Sequence, residues 1–252
     1  MMDGMAQQQA GSSDPRRGIL GRVTAIVYWL LVVEVCFLLA AAPGFIGIIL
    51  LERDRSNLPL FALCLVPVAP AFSAAMYTLR IRMREDDLVV WPRYWRGWAA
   101  NVLDVLKTWI PALAILTVLG VNLLFGGDAG VDGILLGVSV AVSVLVAMWA
   151  TNAMVIGTFF RFRLRDTARL ALYYLGGKPL VMLGTFSFLV IVGAIVAFTS
   201  DWVAALAGSV LAAFLLATVR PMLTDIEERF TASGDAPASG DDTGPAPSGR
   251  GQ

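Results

Sequence analysis

The chain has 252 residues, of which 58% are hydrophobic and 15% charged, with a mean hydropathy of +0.74 and a formal net charge of zero. A water-soluble domain of this length needs far more polar side chains to cover its core, so lipid is the solvent for the apolar surplus. The balanced charge gives no basic footprint for nucleic acid and none for an acidic partner, so nucleic acid is excluded as a partner.

Six apolar segments follow in chain order: Val23 to Leu51, Leu58 to Leu79, Val102 to Phe125, Gly133 to Phe160, Pro179 to Thr199 and Trp202 to Val219. A crossing needs about 20 apolar residues. The first and fourth exceed this and the sixth is marginal. Pro43-Gly44 is expected to kink or end the first segment, leaving its remainder at the outer interface. The valine–serine alternation of residues 138–146 imitates a strand, but a lone strand in lipid strands its backbone, so a helix is predicted. The fold class is therefore all-α: a polytopic transmembrane helical bundle of about six spans. A flexible N-terminus at 1–19, a transmembrane domain at 20–222 and a charged, then disordered tail at 223–252 complete the domain plan.

Charge placement orients the chain. RIRMRED (80–86) and RFRLRD (161–166) each close an apolar segment, and every basic residue except Arg53 and Arg55 lies at one end of the six spans. By the positive-inside rule that end is cytoplasmic, with both termini inside. Arg16-Arg17, the apolar run and Ala40-Ala41-Ala42 resemble a signal peptide. The run is too long for one and Pro43 would follow the cut, so an uncleaved first span is expected.

Between these clusters and the next spans lie two amphipathic segments. In helical projection Trp91, Tyr94, Trp95 and Trp98 share one side of residues 91–107, with Arg93, Arg96, Asp104 and Lys107 on the other. Pro92 suits the first turn. Its counterpart, DTARLALYYLGGKP, offers Asp166 or Thr167 as N-cap and Gly176 as C-terminal stop. Both are expected to be interfacial helices on the cytoplasmic side, anchoring the chain to lipid or docking another subunit. Arg80, Arg82, Arg84, Trp91, Arg93, Trp95, Arg96, Trp98, Arg161, Arg163 and Arg165 are the candidate docking or lipid-anchoring residues. The order span, arginine cluster, interfacial helix, span occurs twice, which suggests a parallel internal duplication. Gly133-Gly137-Ala141 and Ala204-Gly208-Ala212 offer small-residue packing faces.

Catalytic chemistry is poorly supplied. The chain has no histidine, no glycine-rich phosphate loop and no Gly-x-Ser-x-Gly elbow, and Cys36 and Cys64 are isolated in apolar spans. No catalytic residue, metal or cofactor is expected. Intramembrane polar residues are the remaining candidates for a functional site. Glu34 is the one acid well inside a span, either a cation, proton or partner site or a carboxyl bonded to a neighbouring helix. Asn122 and Asn152 are interhelical hydrogen-bonders in this reading, with ligand binding as the alternative. Asp104 and Lys107, three apart, form an ion pair or stay solvated.

PVAPAFSAAMYTLRIRMRE followed by YWRGWAANVLDVLKTWIPALA resembles the bacterial YesL-like integral membrane family, a domain of unknown function (624). The carrying positions are Pro67, Pro70, Ala74, Ala75, Tyr77, Arg80, Tyr94, Trp95, Arg96 and Asn101. LRDTARLALYYLGG is similar to its second cytoplasmic segment, and the likeness spans roughly 20–220. The chain departs from the family in Val-Ala-Pro after the proline and in a longer first loop. The resemblance implies a multi-pass bacterial plasma-membrane protein linked to carbohydrate ABC-type uptake, and implies no catalytic residues. Two functions remain: a non-enzymatic accessory or scaffold protein partnered by lipid, ABC-transporter subunits or a second copy, and a transporter or channel subunit whose path uses Glu34, the proline-rich second span and the suspected repeat.

Overall fold

The computed structural model describes residues 15–82, 89–198 and 201–231; among them every regular element is helical. Ten α-helices occur: α1 (Pro15–Leu50), α2 (Leu58–Cys64), α3 (Val68–Arg82), α4 (Trp91–Phe125), α5 (Gly133–Phe159), α6 (Leu164–Gly177), α7 (Pro179–Phe198), α8 (Asp201–Leu206), α9 (Gly208–Thr218) and α10 (Arg220–Thr231). A 3-10 turn at Arg55–Asn57 precedes α2. Five stretches are long and apolar enough to cross a membrane, and a sixth if α9 and α10, bent by 51°, count as one.

The proline at 43 does not end α1, which runs through it to Leu50. In lipid a broken backbone has no water to turn to, so one lost hydrogen bond costs less than an abandoned helix. The second span, by contrast, is divided. Pro67 has no N–H to give, α2 ends at Cys64, and α3 starts at Val68. The carbonyl of Leu65 at this break accepts the indole N–H of Trp109 at 3.1 Å. Gly44 and Gly47 of α1 lie against Cys64, where a Cβ on either would collide.

The interfacial helix and third span expected as separate units form one helix of 35 residues. At 1.5 Å per residue it is ~52 Å long, well beyond the hydrocarbon core. Nothing interrupts it: Pro92 sits in the first turn, and Pro111 is carried inside. The second half does break, at the Gly176-Gly177-Lys178-Pro179 run, into α6 and α7. The two halves therefore differ in construction, and the expected duplication is not reproduced in the order of helices. Neither Asp166 nor Thr167 caps α6, whose N-cap is Arg163.

At the centre lies α3. Ala71, Ser73, Ala74 and Ala75 are all fully buried, and these small residues let α1, α4, α5 and α9 approach it. Gly97 of α4 sits where any Cβ would strike the Tyr77 ring. Gly208 and Ala212 of α9 pack inward as expected, while Gly133 and Gly137 face open space in the first turns of α5. Apolar side chains such as Leu180 and Phe198 point outward, the pattern of a bundle solvated by lipid.

Two ends of the bundle are defined by contacts. Arg55 meets Asp128 at 3.6 Å, joining the turns before α2 and before α5. At the opposite end Lys178, just before α7, meets Asp225 of α10 at 2.6 Å. The chain thus leaves that end in α7 and is back at it by α10, with α8 and α9 on the way. The tail beyond 231 lies outside the described residues, and α10 carries 220–231 in helical form.

Candidate functional site

Glu34 lies midway along α1 and is 8% exposed. Its Oε2 accepts the backbone N–H of Ser209 at 2.6 Å. Ser209 is the second residue of α9, whose N-cap, Ala207, offers no side chain to the orphan amides. Glu34 therefore caps a helix from another part of the chain. A carboxylate is suited to the partial positive charge of a helix N-terminus, typically worth 0.3–1 kcal/mol and up to about 2 in partly buried sites. The break at Ala207 that exposes these amides inside the bundle is what makes the acid tolerable there. Phe37, one turn along α1, lies over Gly208, where a Cβ would collide with its ring. The other oxygen, Oε1, is buried without a hydrogen-bond partner among the described residues.

The remaining polar side chains tie further helix pairs. Asn122 donates to Ser139 Oγ at 2.8 Å, joining α4 to α5. Asn152 Oδ1 accepts from Thr185 at 2.9 Å, joining α5 to α7, with its Nδ2 unpartnered among the described residues. Ser73 and Thr158 hydroxyls meet at 2.8 Å, and Asn101 donates to the Thr158 carbonyl at 3.1 Å, gathering α3, α4 and α5. Tyr94 donates to the Ala71 carbonyl at 2.8 Å. The three expected intramembrane residues, Glu34, Asn122 and Asn152, do not converge: each ends on a different helix pair, and no hydrogen bond joins them. Among the described residues no three His, Cys, Asp or Glu side chains come together in a metal-binding group.

The arginine-rich end is partly covered by the chain itself. Arg80 pairs with Glu227 of α10 and lies 4.4 Å over the Phe159 ring. Tyr174 donates to Asp225 at 2.6 Å, beside the Lys178 bond. Met222, Leu223 and Ile226 seal the inner face of α10. Arg80 thus serves an internal clasp. Arg84 and the side chain of Arg82 lie outside the described residues. Arg161, Arg163 and Arg165 are exposed, and Lys107 pairs with Asp104 at 2.8 Å.

On α4 the buried face is Tyr94, Gly97, Asn101, Val105 and Thr108. Trp91 is exposed, Trp95 and Trp98 are half-buried, and the three rings make edge contacts along the helix. Arg93 is half-buried and Arg96 exposed. Residues missed in the sequence were Ser209, Asp225, Glu227, Tyr174 and Thr158. Asp225 and Glu227, two of the three acids of α10, were the visible signal, set in a segment whose apolar positions 222, 223 and 226 recur at helical spacing.

An apolar groove of about 770 Å³ runs between α4, α5, α6 and α7, floored by Trp149. Trp149 donates its indole N–H to the Ala168 carbonyl at 3.0 Å, fixing α6 to α5.

Comparison with curated proteins and with solved structures found no match. A family model does match, over α1 from Val23 through most of α4. The segment LRDTARLALYYLGG, also likened to the family, lies beyond it. Over residues 23–123 the chain matches the family described as "Protein of unknown function, DUF624", consistent with the YesL-like assignment and with an integral membrane protein.

Proposed function

We propose that the protein is a non-enzymatic accessory or scaffold component of a bacterial plasma membrane, with both termini cytoplasmic, serving an uptake system of the carbohydrate ABC type. The observation that carries the reading is how the intramembrane polar groups are spent. Glu34, Ser73, Tyr94, Asn101, Asn122, Asn152 and Thr158 each bond a group on another helix. A solute path needs polar groups turned toward a shared cavity, whereas these are turned into separate helix–helix contacts. The large groove is apolar and on the flank, which supports an embedded packing surface over a conduit. The exposed Arg161, Arg163 and Arg165 supply a basic face for the headgroup layer or an acidic partner. The ABC link rests on the resemblance alone.

Purification in mild detergent from the native host, with mass spectrometry of co-purifying proteins, tests this. Stoichiometric transporter subunits are expected. Solitary purification together with solute flux in proteoliposomes would favour the transporter alternative, for which Glu34 and its unpartnered oxygen are the specific observation.

A further inference from the structure

A second, smaller pocket of about 120 Å³ lies on the same seam as the groove, lined by Asp104, Lys107, Thr108, Gly157, Arg163 and Thr167 among others. Along α4 the lining passes from Thr108 in the small pocket to Ile115 in the groove, and along α5 from Gly157 to Trp149. Seven or eight helical residues correspond to ~10–12 Å. The small pocket has the volume of roughly four waters, the scale of a phosphate group. Its charges are unequal. Lys107 is matched by Asp104, but Arg163 has no ion-pair partner among the described residues, and Arg161 and Arg165 flank it. A net positive pocket set about 10–12 Å along one seam from an apolar groove has the polarity of a two-part ligand, anionic at one end and hydrocarbon at the other.

We infer that the α4–α5–α6 seam seats one anionic phospholipid of the bilayer, its phosphate in the Lys107–Arg163 pocket and an acyl chain in the groove over Trp149. Lys107 and Arg163 donate to the phosphate oxygens, with Thr108 and Thr167 lining the same space. The chain rests on Ile115, Leu145, Leu172 and Met182, whose apolar surface gives the hydrocarbon a fixed groove in place of fluid neighbours. This goes beyond an accessory role and stands whether or not that role is correct.

The test uses the full chain purified in mild detergent, washed with phosphatidylglycerol or phosphatidylcholine, and read by native mass spectrometry. One phosphatidylglycerol is expected to survive washes that strip phosphatidylcholine. Each surface-proximal charge is worth about fivefold in affinity, so Lys107→Gln with Arg163→Gln should cut retention roughly twenty-fivefold. Gly157→Leu adds a side chain to the lining of the small pocket with the charges intact; beyond its chain neighbours and its own helix's backbone no atom lies within 4 Å of the new Cβ, so the helix accepts it, and retention should fall as far. Arg55→Gln, at the opposite end of the bundle, should leave retention within about twofold, less than one full surface charge. Equal retention of the two lipids, an undiminished Gly157→Leu protein, or equal losses from Arg55→Gln and Arg163→Gln would overturn the site. If the double variant does not elute as a folded species, Gly157→Leu decides.

Discussion

Glu34 and Ser209 are 175 positions apart in sequence and 2.6 Å apart in space, carboxylate to backbone amide. The bond pins α9 at a break inside the bundle, and it requires close passage of α1, which Gly208 permits by leaving room for Phe37. Gly208→Ala should therefore destabilise the protein by about 1–3 kcal/mol through overpacking, despite alanine's better helix propensity. Phe37→Ala in the same chain should recover part of the loss. Thermal unfolding in detergent measures both, and additive losses would mean that Gly208 and Phe37 do not meet.

The clasp on α10 gives a second expectation. Asp225 joins Tyr174 and Lys178, and Glu227 joins Arg80, over a fully buried Ile226. A cysteine at Ile226 should resist thiol labelling in the intact chain. It should label readily once Asp225→Asn and Glu227→Gln remove the acids, and also in high salt, which screens half-exposed pairs. Labelling unaffected by these changes would place the hold in the apolar contacts alone.

Asp54 offers a pH-dependent handle on the opposite end. The Ser56 hydroxyl and amide both donate to its carboxylate, which holds its pKa below the ordinary value of 3.8, with Arg55 adding to the effect. A depressed folded pKa means that the cap is fully present above the ordinary carboxyl range and is lost as pH falls through the lowered value. Ser56→Ala should move the Asp54 titration up toward 3.8, as read by carbon NMR of the carboxyl; no movement would remove Ser56 as the cause.

Topology is tested by labelling across the membrane. Gly130 has φ of 74°, so a cysteine there is strained, whereas Asp128 in the same turn is exposed. Cysteine at Asp128 should label from outside and at Glu228 only from inside, in line with the placement of basic residues. Labelling of both from one side would contradict the six crossings.

What the sequence displayed was local and compositional. Apolar length located the crossings, and the spacing of Asp104 and Lys107 left an ion pair or solvated charges, of which the structure has the pair. Breaks were harder because proline acts through its surroundings. Pro43 is absorbed in α1, while Pro67 parts α2 from α3 where the Leu65 carbonyl accepts the Trp109 indole N–H as well as the Val68 amide. The partners of Glu34 and Arg80 lay 175 and 147 positions away, beyond any periodicity. Ser209 acts through its amide, which no residue type reveals.

The decisive measurement is the comparison of Glu34→Gln with Glu34→Leu, each assayed for insertion, unfolding in detergent and function. Gln keeps an acceptor for the Ser209 amide and should lie within about 1 kcal/mol of the parent, functional and with partners retained. Leu leaves that amide without a partner in a buried site and should cost about 1–3 kcal/mol. A Glu34→Gln protein that inserts and unfolds like the parent, yet abolishes proton or solute flux that the parent supports in proteoliposomes, would make Glu34 a titrating group on a transport path and contradict its role as a structural tie.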